Sequence, residues 1–389
     1  MRLNDFGVMK MLSHKVLFLL TLWSLWFFNY SARTIFPPIL PIIEQELMTS
    51  HAGTGGIFGF ISLGYAFGLL FASPLMRRLS RQRILFLEHG GIILVLALFY
   101  FGQTYLYFTI LCLILGFAAG AYLPSAIPLL TERFPPRHWA KVIGIHGIAP
   151  SISLLIVPVI AAFLLQVVSW RTILLLFSLV GILPLLALVR LAKAPPDSTV
   201  HSKMNYSSLF RDKRIWVLGI LQGVAAGANL GIYAVIPLFL VTERGFTLPG
   251  ANQLLGMSRI GGMVVPLIVG AIADRFGYIR TLIAVTFLSG VFTLLMTLST
   301  RELFLAIFLF LQTSIIVGFF PLSFALTSRI AGQENRGPAV ALVTLFGAIS
   351  MALTPWLLGT IADHYSFSYG IWAVGLAAML APLLLWTFR

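Results

Sequence analysis

The chain has 389 residues, of which 59% are hydrophobic and 10% charged, with a mean hydropathy of +0.97. Soluble domains carry about 25% charged residues, so composition excludes a water-soluble fold and implies a polytopic membrane chain. The formal charge of +14 is spread over short loops, a topology signal with no pointer to nucleic acid, and the single cysteine, Cys112, leaves no disulfide framework; no metal set or cofactor is expected.

Apolar runs of about 20 residues, the length that crosses a hydrocarbon core of about 30 Å as a helix, recur along the chain. Twelve spans are predicted, near residues 15–40, 54–76, 84–102, 104–131, 139–166, 171–191, 215–241, 250–273, 279–299, 302–329, 337–362 and 368–388. The first run lacks a small-residue cleavage site and reads as a retained helix, which Pro37 and Pro38 should kink. Loops on one side of these spans collect 21 of the 26 basic residues, against only Arg171, Arg244 and Arg301 on the other. By the positive-inside rule both termini are then cytoplasmic.

Residues 192–214 form the longest polar segment and divide the chain into an N-terminal bundle, 1–191, and a C-terminal bundle, 215–389, of six helices each. The halves repeat at an offset of about 200: Pro37 answers Pro237, Arg137 answers Arg336, and Pro184-Leu-Leu answers Pro382-Leu-Leu. The expected fold is therefore an all-α membrane protein with twelve transmembrane helices in two pseudo-symmetric bundles. Such internal symmetry suits a carrier that rocks one repeat against the other around a midplane site.

Within the first span, Asn29, Tyr30 and Arg33 share one helix face, with Trp26 a turn below. An Arg inside a span costs about 2.5–3.5 kcal/mol on insertion scales and needs a watery cavity or a partner; snorkelling to the headgroups is the alternative. The repeat sets Asn229 against Asn29 and Tyr233 against Arg33, with Gln222 two turns below, as two facing polar stripes. Arg259 stands 15 residues before Asp274, about 22 Å along a helix, with no carboxylate in its own span. A guanidinium there, always charged and planar, suits a bidentate oxyanion such as a carboxylate, nitrate or phosphate; pairing with helix carbonyls is the structural alternative.

Acids are scarce inside the spans. Glu88, about one turn past Arg83, is the one intramembrane carboxylate candidate, and with His89 it reads first as an interfacial hydrogen-bonding group. His146 lies deeper; His146 and Glu88 are the candidates for coupling to protons. The spacings Gly64-x-x-x-Gly68 and Gly116-x-x-x-Gly120 predict close helix packing.

The turn Gly270-Ala-Ile-Ala-Asp274-Arg275-Phe-Gly277-Tyr-Ile-Arg280 and its earlier counterpart Ser73-Pro-Leu-Met-Arg77-Arg78-Leu-Ser80-Arg81-Gln-Arg83 carry a resemblance. They resemble the signature loop of the major facilitator superfamily, G-x-x-x-D-R-x-G followed by a basic residue. Trp170-Arg171 and Thr131-Glu132-Arg133-Phe134-Pro135 fit the same order of features. Asn29-Tyr30-x-x-Arg33 is similar to the N-Y-x-x-R run of the organic-anion members, the anion:cation symporters, which implies Arg33 as an anion contact beside Tyr30. An Arg in span eight, as at Arg259, is similar to nitrate and oxalate carriers. The chain departs from those patterns at Ala32, where the symporters carry an acid, in Gly116-Phe-Ala-Ala-Gly120, which lacks their Glu, and at Arg77, where the signature has Asp. The drug:proton antiporters are matched only by an eroded Ala149-Pro150-x-x-Ser153.

The expected function is a non-enzymatic secondary carrier, monomeric in a bacterial inner membrane, that moves a small organic anion by alternating access with either protons or a counter-anion. Arg33 and Arg259 would hold the anion, Asn29, Tyr30, Asn229 and Tyr233 would orient it, and Asp274, Arg275 and Arg336 would latch the cytoplasmic gate. A proton-coupled exporter of drugs or amphiphiles using His146, and a sensor built on a carrier fold, are the competing readings.

Overall fold

The computed structural model describes residues 3–76, 78–135, 139–191, 209 and 211–388, with side chains except at 3–14, 73, 139–141, 191, 333–338 and 386–388. Most of the predicted linker 192–214 thus lies outside the described residues, as do Arg77, Arg137 and the side chain of Arg336. The described residues form helices and turns with no strand.

The helices are α1 (Leu3–Thr34), α2 (Phe36–Glu46), α3 (His51–Met76), α4 (Arg81–Leu98), α5 (Tyr105–Gly120), α6 (Tyr122–Arg133), α7 (Trp139–Leu164) and α8 (Trp170–Leu191). After the linker come α9 (Lys213–Ala226), α10 (Ile232–Arg244), α11 (Leu248–Met257), α12 (Val265–Phe276), α13 (Tyr278–Leu298), α14 (Glu302–Val317), α15 (Phe319–His364) and α16 (Phe367–Leu380). Among the described residues eleven stretches, from His51–Met76 to Phe367–Leu385, are long and apolar enough to cross a membrane, and they match the second to twelfth predicted spans. The first predicted span is divided at Ile35, one residue ahead of Phe36, so that Pro37 and Pro38 open α2, where a missing N–H costs nothing. Span four divides after Gly120. The predicted loop between spans ten and eleven is a single bend inside α15 at Gly332, whose φ of 72° no β-branched residue would adopt easily.

Contacts group the chain into two units. The first comprises Met1–Thr34, Gly64–Leu154 and Val168–Val200. Its core joins Phe18, Leu22, Leu25 and Trp26 of α1 to Leu85 of α4, Tyr122, Ala126 and Leu130 of α6, Ala149 of α7 and Leu188 of α8. Apolar helices gain little from leaving lipid for one another, so close backbone approach must hold them together. The glycines provide it: a Cβ on Gly64 or Gly68 of α3 would stand 2.1 Å from the carbonyl oxygen of Leu113 or Phe117 on α5. The predicted small-residue packing is thus present at that pair. On the loop side, Arg81 pairs with Glu132 and Arg133 lies over the Phe18 ring.

The second unit comprises Ile35–Leu63, Leu155–Val167 and His201–Arg389. Here α9 packs along α15, and α13 packs against α14 and α16. The unit also takes in α2 and the start of α3. The contact between α3 and α15 is seamed by glycine, since a Cβ on Gly55 would meet the Pro355 carbonyl oxygen at 2.1 Å and one on Gly359 would meet that of His51 at 2.1 Å. Asp363 closes the seam, its carboxylate accepting the main-chain N–H groups of His51 (2.8 Å) and Ala52 (2.9 Å) at the N-terminus of α3. Glu44 pairs with His51 at 2.9 Å, and Asn252 donates to the Pro38 carbonyl at 2.9 Å.

Candidate functional site

Among the described residues each unit holds one buried arginine, and the two are held differently. In the first unit the i, i+3, i+4 spacing of Trp26, Asn29, Tyr30 and Arg33 does put them on one face of α1. Arg33 is 8% exposed, so its side chain is turned into the protein and away from lipid. The Tyr65 ring of α3 lies 4.3 Å from the guanidinium carbon, with Tyr30 at 4.8 Å and Trp26 at 5.9 Å. A desolvated cation–π contact contributes about 2 kcal/mol, which offsets part of the burial of the charge. Nε and Nη2, the side-on fork that grips a carboxylate, are buried with no hydrogen-bond partner among the described residues.

Asn29 turns to different partners. Its Nδ2 donates to Glu88 Oε1 at 2.5 Å and to the Ala119 carbonyl at 3.0 Å. Glu88 is 4% exposed and faces the interior of the unit from α4, because side-chain direction decides what a helix residue meets. Glu88 senses the charge of Arg33, but among the described residues no ion pair joins them. His89 is likewise buried, with Nε2 at 3.0 Å from the Gly181 carbonyl. His146 lies parallel to Tyr122 and Trp26, at centroid distances of 5.8 and 6.1 Å. The Tyr122 hydroxyl donates to the Leu22 carbonyl, so the 2.9 Å contact with His146 is a donation from Nε2–H to the hydroxyl oxygen.

In the second unit Arg259, 3% exposed, sits at a helix break between α11 and a short 3-10 turn, Ile260–Met263. Opposite it, α9 and α10 are joined by a π turn, Gly227–Gly231. A π turn leaves carbonyls without their helical partners, and such turns concentrate at functional positions. Arg259 meets one of them: Nη1 donates to Asn229 Oδ1 at 2.6 Å and Nη2 to the Asn229 carbonyl at 3.3 Å. Gln312 donates to the Ala228 carbonyl at 2.8 Å, and Thr313 to the Ser258 carbonyl. The guanidinium carbon lies 4.6 Å from the Tyr233 ring centroid. Asn229 and Tyr233 thus come together around Arg259, the first through neutral oxygens and the second through its ring, and these contacts do not cancel the charge.

Of the predicted gate residues, the side chain of Arg336 lies outside the described residues. Asp274 and Arg275 are both exposed; Asp274 accepts from the Tyr278 hydroxyl at 3.0 Å, and Arg275 lies over Phe276. Gly277 makes the turn with a φ of 94°. Sequence reasoning missed Tyr65, although the Gly64 spacing beside it was visible, and missed Gln312 and Thr313, for which no local signal exists.

The family model described as Major Facilitator Superfamily matches residues 22–298 and 254–389. The chain belongs to the major facilitator superfamily. Like others of that superfamily it is a multi-pass membrane transporter and not an enzyme. Among curated members it is 26% identical over 273 residues to a gallate transporter of Pseudomonas putida, a match that spans 61% of this chain and 61% of that relative. It is 20% identical over 383 residues to the MFS-type transporter YuxJ of Bacillus subtilis, covering 94% and 97% of the two chains. A purine ribonucleoside efflux pump, NepI of Shigella sonnei, is 21% identical over 56% of this chain and 55% of its own. Among solved structures, a bacterial homologue of the human lysosomal transporter Spinster, inward-facing and occupied, superposes with a TM-score of 0.81 at 14% identity, over 95% of both chains. The nucleoside transporter NupG superposes with a TM-score of 0.79 at 14% identity, over 96% of this chain and all of its own. Both share the superfamily fold.

Proposed function

We propose that this superfamily member is a secondary carrier of a small organic carboxylate, working by alternating access with twelve spans in two six-helix bundles, 1–191 and 215–389, joined by a cytoplasmic linker. In this reading α1 with α2 supplies the span beyond the eleven, and both termini face the cytoplasm of a bacterial inner membrane.

One observation carries the choice of cargo: the Nε and Nη2 fork of Arg33 is buried with no hydrogen-bond partner among the described residues, the Tyr30 and Tyr65 rings lie 4.8 and 4.3 Å from its guanidinium carbon, and no described acid pairs with it. A permanent charge so placed calls for a negative partner, and a carboxylate matches the fork atom for atom. Gallate, the named cargo of one relative, is itself an aromatic carboxylate. Arg259 supplies a second positive charge during the cycle, with Asn229 holding it and Tyr233 alongside; Asn29 acts through Glu88. Asp274, Arg275 and Arg336 latch the cytoplasmic side in a conformation other than the present one.

The test is binding and flux. Purified protein is screened by thermal shift against benzoate, gallate, succinate, oxalate and nitrate, where a ligand at 100 times its dissociation constant stabilises by about 2.7 kcal/mol. Hits are then followed as labelled uptake into liposomes. Arg259→Ala is expected to fold and to lose uptake; unimpaired transport by that variant rejects its part in the site. Drug resistance on overexpression without flux of any anion would favour the exporter reading, which the efflux pump NepI represents among relatives.

A further inference from the structure

The ends of α2, α10 and α15 and the starts of α3 and α16, all in the second unit, gather three carboxylates around one imidazole. Nδ1 of His51, the first residue of α3, lies 2.9 Å from one oxygen of Glu44 on α2 and 3.0 Å from the other. Facing a carboxylate, Nδ1 must carry a proton and donate it. Asp363 at the end of α15 accepts the main-chain N–H groups of His51 and Ala52. Glu243 at the end of α10 accepts those of Phe367 and Ser368 at the start of α16, together with the Ser368 hydroxyl at 2.8 Å. The Phe367 ring in turn lies 4.9 Å from the His51 ring. Between Glu44 and His51 the chain turns through Met48, the one non-glycine residue among the described residues with a positive φ, 47°. The Glu44–His51 contact therefore spans a strained link.

We propose that His51 is the proton-sensitive part of a latch on the outer face of the carrier: charged, it holds that face shut, and neutral, it lets the face open. This rests on the twelve-span topology and alternating access proposed above, and not on the identity of the cargo. In that topology the turns after Glu46, Arg244 and His364 all face away from the cytoplasm. There α2 and α3 belong to one bundle and α10, α15 and α16 to the other, so the cluster ties the bundles at their outer ends and must come apart in an outward-open state. Around His51 stand Glu44 from α2, Asp363 from α15 and Glu243 from α10. From α16 comes the Phe367 ring; Arg244, beside Glu243, is turned to the Thr297 carbonyl and the Ser368 hydroxyl, and His364, next to Asp363, is exposed. Three carboxylates facing a neutral ring repel one another. The His51 side chain is 27% exposed, within reach of the outer solution. A proton taken up on Nε2 places a cation among the three, turns the bond to Glu44 into an ion pair and offsets the repulsion. When the bundles part, His51 leaves Asp363 and Glu243 for water and keeps at most Glu44, so the proton favours the closed face over the open one. Histidine changes charge between about pH 5 and 8, and over that range external acidity sets which conformer is populated. This proton stays at the outer face and is not carried with cargo.

The experiment places spin labels at Met48→Cys and Tyr365→Cys, positions 92% and 78% exposed beside the cluster, in the full-length protein in nanodiscs, where native Cys112 is buried. The distance distribution between the labels is read from about pH 5 to about pH 8 with His51 intact, with His51→Gln and with His51→Arg. With His51 intact, the ratio of closed to open populations is expected to be about two- to tenfold higher at the acid end, a range limited by solvent screening of a partly exposed pair. His51→Gln should show one ratio at every pH, near the alkaline value. His51→Arg, a permanent cation, should stay closed throughout. The proposal is overturned if the distribution with His51 intact does not change with pH, a result that needs no variant to fold. It is equally overturned if the dependence survives in His51→Gln, which would assign it to another group such as His364, or if His51→Arg opens at the alkaline end. Uptake of labelled benzoate and gallate into liposomes separates this from the reading beneath it: flux with static labels rejects the latch alone, whereas static labels without flux of either compound reject alternating access as well.

Discussion

Replacing Arg33 separates a working group from a structural one. Its two open N–H groups would each make a charge-assisted bond to a carboxylate, contributing about 1.5–3 kcal/mol apiece. Arg33→Lys keeps the charge and loses the planar fork, so one bond of two survives and affinity should fall about 10- to 150-fold. Arg33→Met loses both and should fall by about two to four orders of magnitude. Stability is expected to move little. An Arg in a span costs about 2.5–3.5 kcal/mol, and the contacts with Tyr30 and Tyr65, at about 2 kcal/mol each, return about as much, so Arg33→Met, which fills similar volume, should unfold near the wild-type temperature. The assay is thermal unfolding of purified protein with and without the carboxylate found by screening, beside uptake in liposomes. A marked loss of unliganded stability together with unchanged uptake would refute the reasoning, because it would make Arg33 a packing residue.

Three further outcomes follow from specific contacts. Asn229→Asp would hand Arg259 a carboxylate at the 2.6 Å position now held by a neutral oxygen; anion affinity should drop at least tenfold while folding is kept, read by the same binding assay. Gly55→Ala forces a Cβ to 2.1 Å from the Pro355 carbonyl oxygen, backbone that cannot step aside, and overpacking of this kind costs about 1–3 kcal/mol. Its melting temperature should fall where a change at Gly90, which has open space beside it, has no such effect. Asp363→Ala removes the acceptor for two N–H groups at the start of α3 and should cost about 0.5–2 kcal/mol, seen as faster hydrogen exchange at His51 and Ala52.

Span positions were legible because about 20 apolar residues leave a helix few alternatives in lipid, and Pro37 announced the break before α2. The face shared by Tyr30 and Arg33 followed from helical spacing alone. What spacing cannot give is the partner on another helix. Asn29 was read as a cargo contact because its own neighbours suggested one, yet the group it touches is Glu88, 59 residues away. Tyr65 was hidden for the same reason, and Gln312 meets Ala228 across 84 residues. Arg259 was rightly suspected as buried, but its bonds to Asn229 depend on a π turn that no residue between Gly227 and Gly231 announces by type.

That turn has a mechanical side. An i→i+5 turn holds one residue more than its α-helical equivalent, and one residue is about 100° of rotation along a helix. Tightening Gly227–Gly231 into ordinary helix would therefore swing everything on α9 through roughly a quarter circle relative to α10, carrying Gln222 from one neighbour toward another. Gln312 and Arg259 donate to carbonyls of this turn, at Ala228 and Asn229, and rewinding would break both bonds. The rotation would be carried along the 32 residues of helix from Lys213 to Arg244.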